Sequence, residues 1–208
     1  MKVILVNGSP NKNGCTYTAL CEVEKELNAN GVETEIFWIG NKPIGGCIGC
    51  GGCMRKGECV FNNDPVNEFA KKAAEADGFV FGTPVHYAGA GGAITAFMDR
   101  VFYSQGNSLL RGKAAAAISS CRRGGSTATF DQMNKYFTIT SMPVVSSQYW
   151  NEVHGNTPDE VRQDIEGMQI MRTLGKNMAW LLKCIELGRQ NGIEIPPQEA
   201  KTFTNFIR

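Results

Sequence analysis

Four cysteines lie close together in this chain, and thiols at that density point to redox or metal chemistry. The segment PIGGCIGCGGCMRKGECV contains Cys47, Cys50, Cys53 and Cys59. Three thiolates spaced along one tight loop can each bind a corner iron of a cuboidal iron–sulfur cluster, and a more distant fourth completes the set. The spacing therefore favours a [4Fe-4S] cluster bound by these four side chains.

Zinc and free thiols are the alternative interpretations of the same segment. A structural zinc site more often divides its ligands between two separated Cys-x-x-Cys pairs, so zinc fits this spacing less well. Four reduced thiols in a glycine-rich loop need no metal, and cysteine motifs also occur without one. We expect a cysteine-rich insertion loop at about 43–62, with its occupant left open among these three possibilities.

A second candidate site follows the first predicted strand. The residues NGSPNKNGCT, 7–16, lead directly into a predicted helix. Backbone N–H groups and hydroxyls at a helix N-terminus bind phosphate, and the helix dipole adds a favourable field. The segment lacks both the Gly-Lys-Ser/Thr ending of triphosphate loops and the Gly-x-Gly-x-x-Gly of dinucleotide sites, so it predicts a single phosphate monoester. An ordinary strand-to-helix turn is the alternative. The candidate phosphate ligands are Ser9, Asn13, Gly14, Cys15 and Thr16.

The elements that must position these residues follow an alternating pattern. Short β-branched and apolar runs alternate with longer stretches of helical periodicity, which is typical of an α/β fold with a parallel sheet. The predicted strands are 2–6, 33–38, 78–81, 114–119 and 143–145. The predicted helices are 16–29, 65–76, 92–104, 127–137 and 157–188. Because loops after parallel strands gather at the carboxyl edge of the sheet, we expect the functional loops to meet there.

Length and charge narrow the classes of function. The 208 residues predict one domain spanning 1–208, with enough chain for one sizeable core. Lys and Arg total 21 against 20 for Asp and Glu, a balance that argues against nucleic acid or an anionic membrane as a partner. The start of the sequence lacks a signal-peptide pattern and no run approaches the roughly 20 apolar residues of a membrane span, so we expect a cytoplasmic protein. In that compartment the eight cysteines favour metal ligands or reactive thiols over disulfides.

Three segments together resemble one known family. The loop GSPNKNGCT after a strand resembles the phosphate loop of the NADPH-dependent FMN reductase family, within the flavodoxin-like superfamily. The segment GTPVHYAG, 82–89, and the GGAITAFMDR that follows resemble its isoalloxazine-binding segment. The cysteine spacing is similar to that of the iron–sulfur flavoproteins, a subset in which a cubane cluster lies near the flavin. The resemblance implies a flavodoxin-like three-layer sandwich with a five-stranded parallel sheet in the order 2-1-3-4-5.

The resemblance also implies FMN as cofactor and assigns roles to two further loops. One set of residues would line a face and edge of the flavin ring: Pro84, Val85, His86, Tyr87 and Gly89. Another set would approach its pyrimidine side: Arg122, Arg123, Gly124 and Gly125. A cation there would stabilise negative charge on the reduced ring. Cys15 departs from the family pattern, in which asparagine commonly follows the glycine. No catalytic residue is assigned, because hydride transfer from a nicotinamide to flavin needs no proton abstraction by the protein.

Three functions fit these residues. The first is an FMN-dependent oxidoreductase that takes hydride from NADPH or NADH and reduces a small acceptor, such as a quinone-like, nitro or azo compound or free flavin. The second is an electron-transfer iron–sulfur flavoprotein that exchanges electrons between a [4Fe-4S] cluster, FMN and a ferredoxin-like partner. The third is a flavin-binding module with a thiol switch or zinc knot. The resemblance further implies a homodimer or homotetramer.

Overall fold

A computed structural model of the chain describes residues 1–206, in which a twisted parallel sheet lies between two layers of helices. The strands are β1 (Lys2–Asn7), β2 (Glu33–Trp38), β3 (Gly78–His86), β4 (Gly89–Ala90), β5 (Ala114–Cys121) and β6 (Glu152–His154). The helices are α1 (Cys15–Ala29), α2 (Gly52–Lys56), α3 (Val66–Ala73), α4 (Gly92–Gln105), α5 (Ser126–Ile139), α6 (Pro158–Gln163) and α7 (Ile165–Gln190), and α4 continues into a π-helical turn, Gly106–Leu110. None of the helices in the described residues has the length and apolar character needed to cross a membrane.

The order of the five parallel strands confirms the predicted fold. They lie in the order β2-β1-β3-β5-β6, which is 2-1-3-4-5 when only parallel strands are counted. The additional strand β4 is two residues long and pairs antiparallel with the end of β3. In this flavodoxin-like arrangement the chain reverses its direction of travel across the sheet between β1 and β3, and loops from both strands border the crevice at the carboxyl edge.

The sheet is buried on both faces, which is why its central strands are almost continuously apolar. In β1 the residues from Val3 to Val6 are fully buried, as expected for a parallel strand covered by helices on each side. One face packs against α3, α4 and α5 through a cluster of aromatic rings, in which the centroids of Phe69 and Phe97 lie 5.3 Å apart. The opposite face packs against α1 and α7. The two layers hold the carboxyl ends of the strands in fixed relative positions.

The predicted position of the fifth strand is wrong. Residues 143–145 form only an isolated bridge, in which Val144 lies opposite Ala115. The chain then leaves the sheet and returns as β6, whose Glu152 to His154 pair with the end of β5. A charged edge strand of three residues carries little β-branched signal, whereas Val144 and Val145 carry a strong one.

The predicted long helix 157–188 is two helices. The chain breaks at Asp164, which lies between α6 and α7 with a non-helical ψ of 82°. The Asp164 carboxylate accepts hydrogen bonds from the Gly167 N–H at 2.9 Å and from the His154 N–H at 2.6 Å. The predicted start is confirmed, since the Thr157 hydroxyl accepts from the Glu160 N–H at 3.2 Å and Pro158 opens the helix.

Candidate functional site

The loop between β1 and α1 is held in shape by its own polar side chains. The buried Asn7 accepts a hydrogen bond from the Ser9 N–H at 3.1 Å and donates one to the Lys12 carbonyl at 2.9 Å. The Ser9 hydroxyl oxygen accepts from the Asn11 N–H at 3.2 Å. These short-range bonds fix the path of the loop before any ligand binds, as a preorganised anion site requires.

The start of α1 has the features of an anion site. Gly14 is its N-cap, no side chain caps the first-turn N–H groups, and the first turn holds no acidic residue. An uncapped helix start offers N–H donors and the positive end of the helix dipole. A Cβ on Gly14 would lie 3.0 Å from the Cβ of Asn11, so a side chain would crowd the loop. These residues fit the phosphate group of FMN.

The predicted phosphate ligands do not all face the same way. Thr16 is 1% exposed, and its hydroxyl lies 2.8 Å from that of Ser120 on β5. Ser9 is also buried, whereas Asn13 is exposed. The Cys15 thiol donates to the Gly155 carbonyl at 3.7 Å, and burial raises its pKa. A thiol kept protonated adds no negative charge beside a bound phosphate, so Cys15 is compatible with that site.

The predicted ring-binding segment is a tight hairpin between β3 and β4. His86 pairs with Gly89 across a two-residue turn, Tyr87 and Ala88, whose φ angles are 49° and 59°. Such turns favour Asn and Gly, because other side chains are strained in the left-handed region. Strain of this kind is typical of functional loops. The Gln132 side chain of α5 stabilises the hairpin by accepting from the Ala90 N–H at 3.1 Å.

The loop after β5 packs directly against this hairpin. Gly125 has a φ of +95°, and a Cβ there would lie 2.6 Å from the Cα of Ala88 and 2.9 Å from Cγ1 of Val85. Arg122 and Arg123 are exposed on the same loop. Gly125 is also the N-cap of α5, which no side chain caps. The structure thus brings the predicted ring-binding segment and the predicted pyrimidine-side loop together.

Hydrogen bonds also connect the phosphate loop to its neighbours. The Gly8 N–H donates to the Gly82 carbonyl of β3 at 2.8 Å, and a Cβ on Gly8 would collide with that carbonyl oxygen. The indole N–H of Trp38, at the end of β2, donates to the Ser9 carbonyl at 2.8 Å. Together with the contact between Thr16 and Ser120, these bonds gather the three predicted flavin loops at one edge of the sheet.

The cysteine-rich loop lies between β2 and α3, beside α4. Its four thiols are free and line one small cavity of about 20 Å³ at the surface, which Arg100 and Tyr103 of α4 also border. Cys47 and Cys50 are exposed, while Cys53 and Cys59 are half-buried. The loop turns at three glycines in the left-handed region: Gly49, Gly51 and Gly57.

The thiols are gathered in one cavity but do not yet converge on one point. Among residues 1–206, no three cysteine, histidine or acidic side chains are arranged to hold a metal ion. The donor set itself fits an iron–sulfur cluster, because thiolates are the ligands that such clusters use and the loop supplies four of them. The fit lies in the chemistry of the four donors and in the cavity that they share.

The fourth cysteine is the most firmly held of the set. The Cys59 N–H donates to Asn67 Oδ1 at 3.1 Å, and Asn67 Nδ2 donates back to the Cys59 carbonyl at 2.9 Å. Arg100 Nε lies 3.3 Å from the Cys59 sulfur. Gln105 Nε2 donates to the Gly57 carbonyl at 2.9 Å. Sequence reasoning missed all three polar partners.

One feature of the sequence could have indicated that Arg100 is buried and paired. It lies in FMDRVF, where Phe97, Met98, Val101 and Phe102 are all buried. A cation placed within an apolar helical stripe is expected to be buried and paired. Asn67 and Gln105 had no comparable signal, because their partners are backbone groups, which no residue type in the sequence marks.

The fold and these two sites define a flavodoxin-like flavoprotein class, and comparison with known proteins makes the assignment specific. The sequence model of the NADPH-dependent FMN reductase family matches residues 1–157, so the chain belongs to that family. It is 34% identical over 193 residues to an iron–sulfur flavoprotein of Methanocaldococcus jannaschii, an alignment that covers 89% of this chain and all of the relative.

Solved structures agree on the fold. The chain is similar to RosB with a bound 8-demethyl-8-formylriboflavin-5'-phosphate intermediate, with a TM-score of 0.68, 14% identity, and coverage of 100% of this chain and 94% of that one. It is also similar to a flavodoxin from the domain Archaea, with a TM-score of 0.60, 16% identity, and coverage of 88% and 99%. The family model and the relative from Methanocaldococcus jannaschii confirm the predicted membership of the family and the likeness to iron–sulfur flavoproteins. The chain is an FMN-binding flavoprotein of the oxidoreductase class.

Proposed function

We propose that this protein is an electron-transfer iron–sulfur flavoprotein that exchanges electrons between a [4Fe-4S] cluster on its cysteine loop, FMN at the carboxyl edge of the sheet and a ferredoxin-like partner. One observation carries the proposal: all four cysteines of the loop line a single cavity beside α4. The 34% identity to a relative named an iron–sulfur flavoprotein supports it.

The chain's own residues would bind and orient the flavin. The N–H groups at the start of α1, with the Ser9 hydroxyl, hold the phosphate. The hairpin around Tyr87 would line the ring, and Arg122 or Arg123 would stabilise negative charge on its pyrimidine side. When bound, FMN supplies chemistry that accepts electrons singly or in pairs.

The two sites lie along one helix. The first residue of α4, Gly92, follows the hairpin, and Arg100 borders the cysteine cavity. Eight residues of α-helix rise about 12 Å, at about 1.5 Å per residue. Cys47, Cys50 and Cys53 would supply three sulfurs and Cys59 the fourth. Both sites therefore border one helix, which supports electron exchange between them.

Replacing Cys50 with serine tests the cluster. We expect wild-type protein purified without oxygen to contain four irons and acid-labile sulfide per chain, and Cys50→Ser to lose most of both, because a cubane needs its thiolate ligands. Cys184→Ser is the matched control, since Cys184 is exposed on α7 outside the loop. Iron, sulfide and flavin are measured on the same samples. Wild-type protein that holds no iron after reconstitution would contradict the proposal.

A second candidate function is hydride transfer from NADPH or NADH to FMN and onward to a quinone-like, nitro or azo acceptor. A Cβ on Gly92 would meet nothing within 4 Å, so the start of α4 leaves space beside the hairpin. A flat nicotinamide could stack on a ring face left uncovered in this way.

Flavin bleaching separates the two functions. Under the second function, anaerobic NADPH or NADH bleaches the flavin absorption within seconds and without a protein partner. Dithionite serves as the control that the flavin is reducible. Absence of bleaching with both nicotinamides, in protein that dithionite reduces, would exclude this second function.

A further inference from the structure

Arg100 is a buried cation whose donors are shared among several parts of the cysteine loop. It is 1% exposed. Its Nε lies 3.3 Å from the Cys59 sulfur, Nη1 lies 3.3 Å from the Gly45 carbonyl, and Nη2 lies 3.0 Å from the Phe61 carbonyl. Nη1 also forms an ion pair with Asp64, itself 9% exposed in its side chain. One guanidinium therefore connects both ends of the loop to α4.

The ion pair alone does not account for this arrangement. Asp64 neutralises the charge through Nη1, and its other oxygen accepts from the Val66 N–H at 3.2 Å at the start of α3. The Nε–H is free of that pair and points instead at a sulfur. A planar guanidinium has five N–H donors in a fixed fork, so its orientation by Asp64 also fixes the direction of the Nε–H.

We propose that Arg100 is a positioning residue for the fourth cluster ligand: it holds Cys59 at the cavity wall and donates a hydrogen bond to its sulfur that raises the reduction potential of the cluster. The effect on the reduction potential rests on the proposed function, because it requires the cluster. Hydrogen bonds to the sulfurs and nearby charge set the potential of an iron–sulfur cluster, because they stabilise the more negative reduced form. The positioning of Cys59 concerns the metal-free chain alone.

The test compares variants that keep the buried charges balanced. Arg100→Gln alone would leave Asp64 buried and unpaired. The first variant is therefore the double change Asp64→Asn with Arg100→Gln. Arg100→Lys is a second variant, which keeps a positive charge but has no Nε–H. Arg172→Gln is the matched control, because Arg172 pairs with Glu22 between α1 and α7. FMN binding and circular dichroism establish that each variant is folded.

Two measurements follow on each folded variant. In metal-free protein, amide hydrogen exchange at residues 57–61 is expected to be at least tenfold faster in the double variant than in wild type, and unchanged in Arg172→Gln. In reconstituted protein, an electrochemical titration monitored by electron paramagnetic resonance is expected to show the cluster potential shifted to more negative values in the double variant and in Arg100→Lys.

The outcomes distinguish this inference from the proposed function. Unchanged exchange at 57–61 together with an unchanged cluster potential overturns the role of Arg100 while leaving the cluster in place. Faster exchange with an unchanged potential overturns the sulfur hydrogen bond and keeps the positioning of Cys59. Wild-type protein without iron removes the proposed cluster, and the exchange measurement still decides whether Arg100 positions the loop.

Discussion

At the scale of single residues, the phosphate loop is assembled from buried hydroxyl and amide groups. The hydroxyls of Thr16 on α1 and Ser120 on β5 share a hydrogen bond, and the Ser9 hydroxyl oxygen accepts one from the Asn11 N–H. Because the Ser9 oxygen accepts that bond, its hydroxyl proton remains available to an anion. Backbone N–H groups at the start of α1 supply the remaining donors.

Removing both hydroxyls should weaken FMN binding. For Ser9→Ala combined with Thr16→Ala we expect an increase of roughly 10- to 100-fold in the dissociation constant for FMN. Ser9→Ala removes a donor to the phosphate, and Thr16→Ala removes the bond to Ser120 that connects the loop to β5. Each bond contributes about 1 kcal/mol, and a factor of ten corresponds to about 1.4 kcal/mol. Fluorescence titration of apoprotein with FMN measures it. Thr138→Ala is the control, because that exposed hydroxyl donates to the Lys135 carbonyl within α5 at 3.1 Å. Unchanged affinity in the double variant would disprove the phosphate assignment.

At the scale of elements, the hairpin between β3 and β4 depends on the loop before α5. Gly125 has a left-handed backbone and lies against Ala88, where no side chain can fit. Gln132 holds the other side of the hairpin from within α5. The position of α5 therefore determines the position of the strained turn at Tyr87.

Gly125→Ala should disrupt that contact. A left-handed alanine costs about 1–2 kcal/mol and overpacking adds about 1–3 kcal/mol, so we expect a loss of about 2–5 kcal/mol in the free energy of unfolding and weaker FMN binding. Urea unfolding and FMN titration measure the two effects. Gly124→Ala is the control, since a Cβ there meets nothing within 4 Å. Equal stability of the two variants would show that the hairpin tolerates displacement.

The elements also show where sequence reasoning succeeds and where it fails. Strands β1, β2, β3 and β5 and the helices α1, α3, α4 and α5 were predictable, because burial imposes a local apolar pattern on each. The break at Asp164 was not predictable from periodicity, since it depends on a hydrogen bond to His154 from another element. At the candidate site, the cysteines and loops were visible as motifs, whereas Asn67 and Gln105 act through backbone partners that no residue type marks.

At the scale of the whole molecule, ion pairs connect the edge strand to its neighbours. Glu35 of β2 pairs with Lys2 of β1 at 3.0 Å and with Lys72 of α3 at 2.7 Å. The hydrogen bond from Lys72, followed by that from Lys2, holds the pKa of Glu35 below its ordinary value of 4.5, against the opposing effect of partial burial. The carboxylate is therefore more readily ionised in the folded chain than in the unfolded one.

This lowered pKa predicts a pH-dependent contribution to stability. The contribution is fully present above the ordinary value of 4.5 and is lost as pH falls through the lower folded value. At pH 7 the free energy of unfolding of wild type should exceed that of Glu35→Gln by about 0.5–1 kcal/mol. This difference should disappear as pH falls below 4.5. Thermal unfolding across pH 3–7 measures it, with the exposed Glu199→Gln as control. A difference that persists unchanged at pH 3 would refute the ionic origin.

Helix α4 has a consequence for how the protein can vary. Its first turn borders the strained hairpin, and its third turn carries the guanidinium that reaches the sulfur of Cys59. A packed helix moves as one rigid body, so sliding or rotating it would alter the surroundings of the flavin and of the thiols in the same event. Substitutions in the aromatic packing beneath α4, remote from either centre, should therefore change both redox properties together.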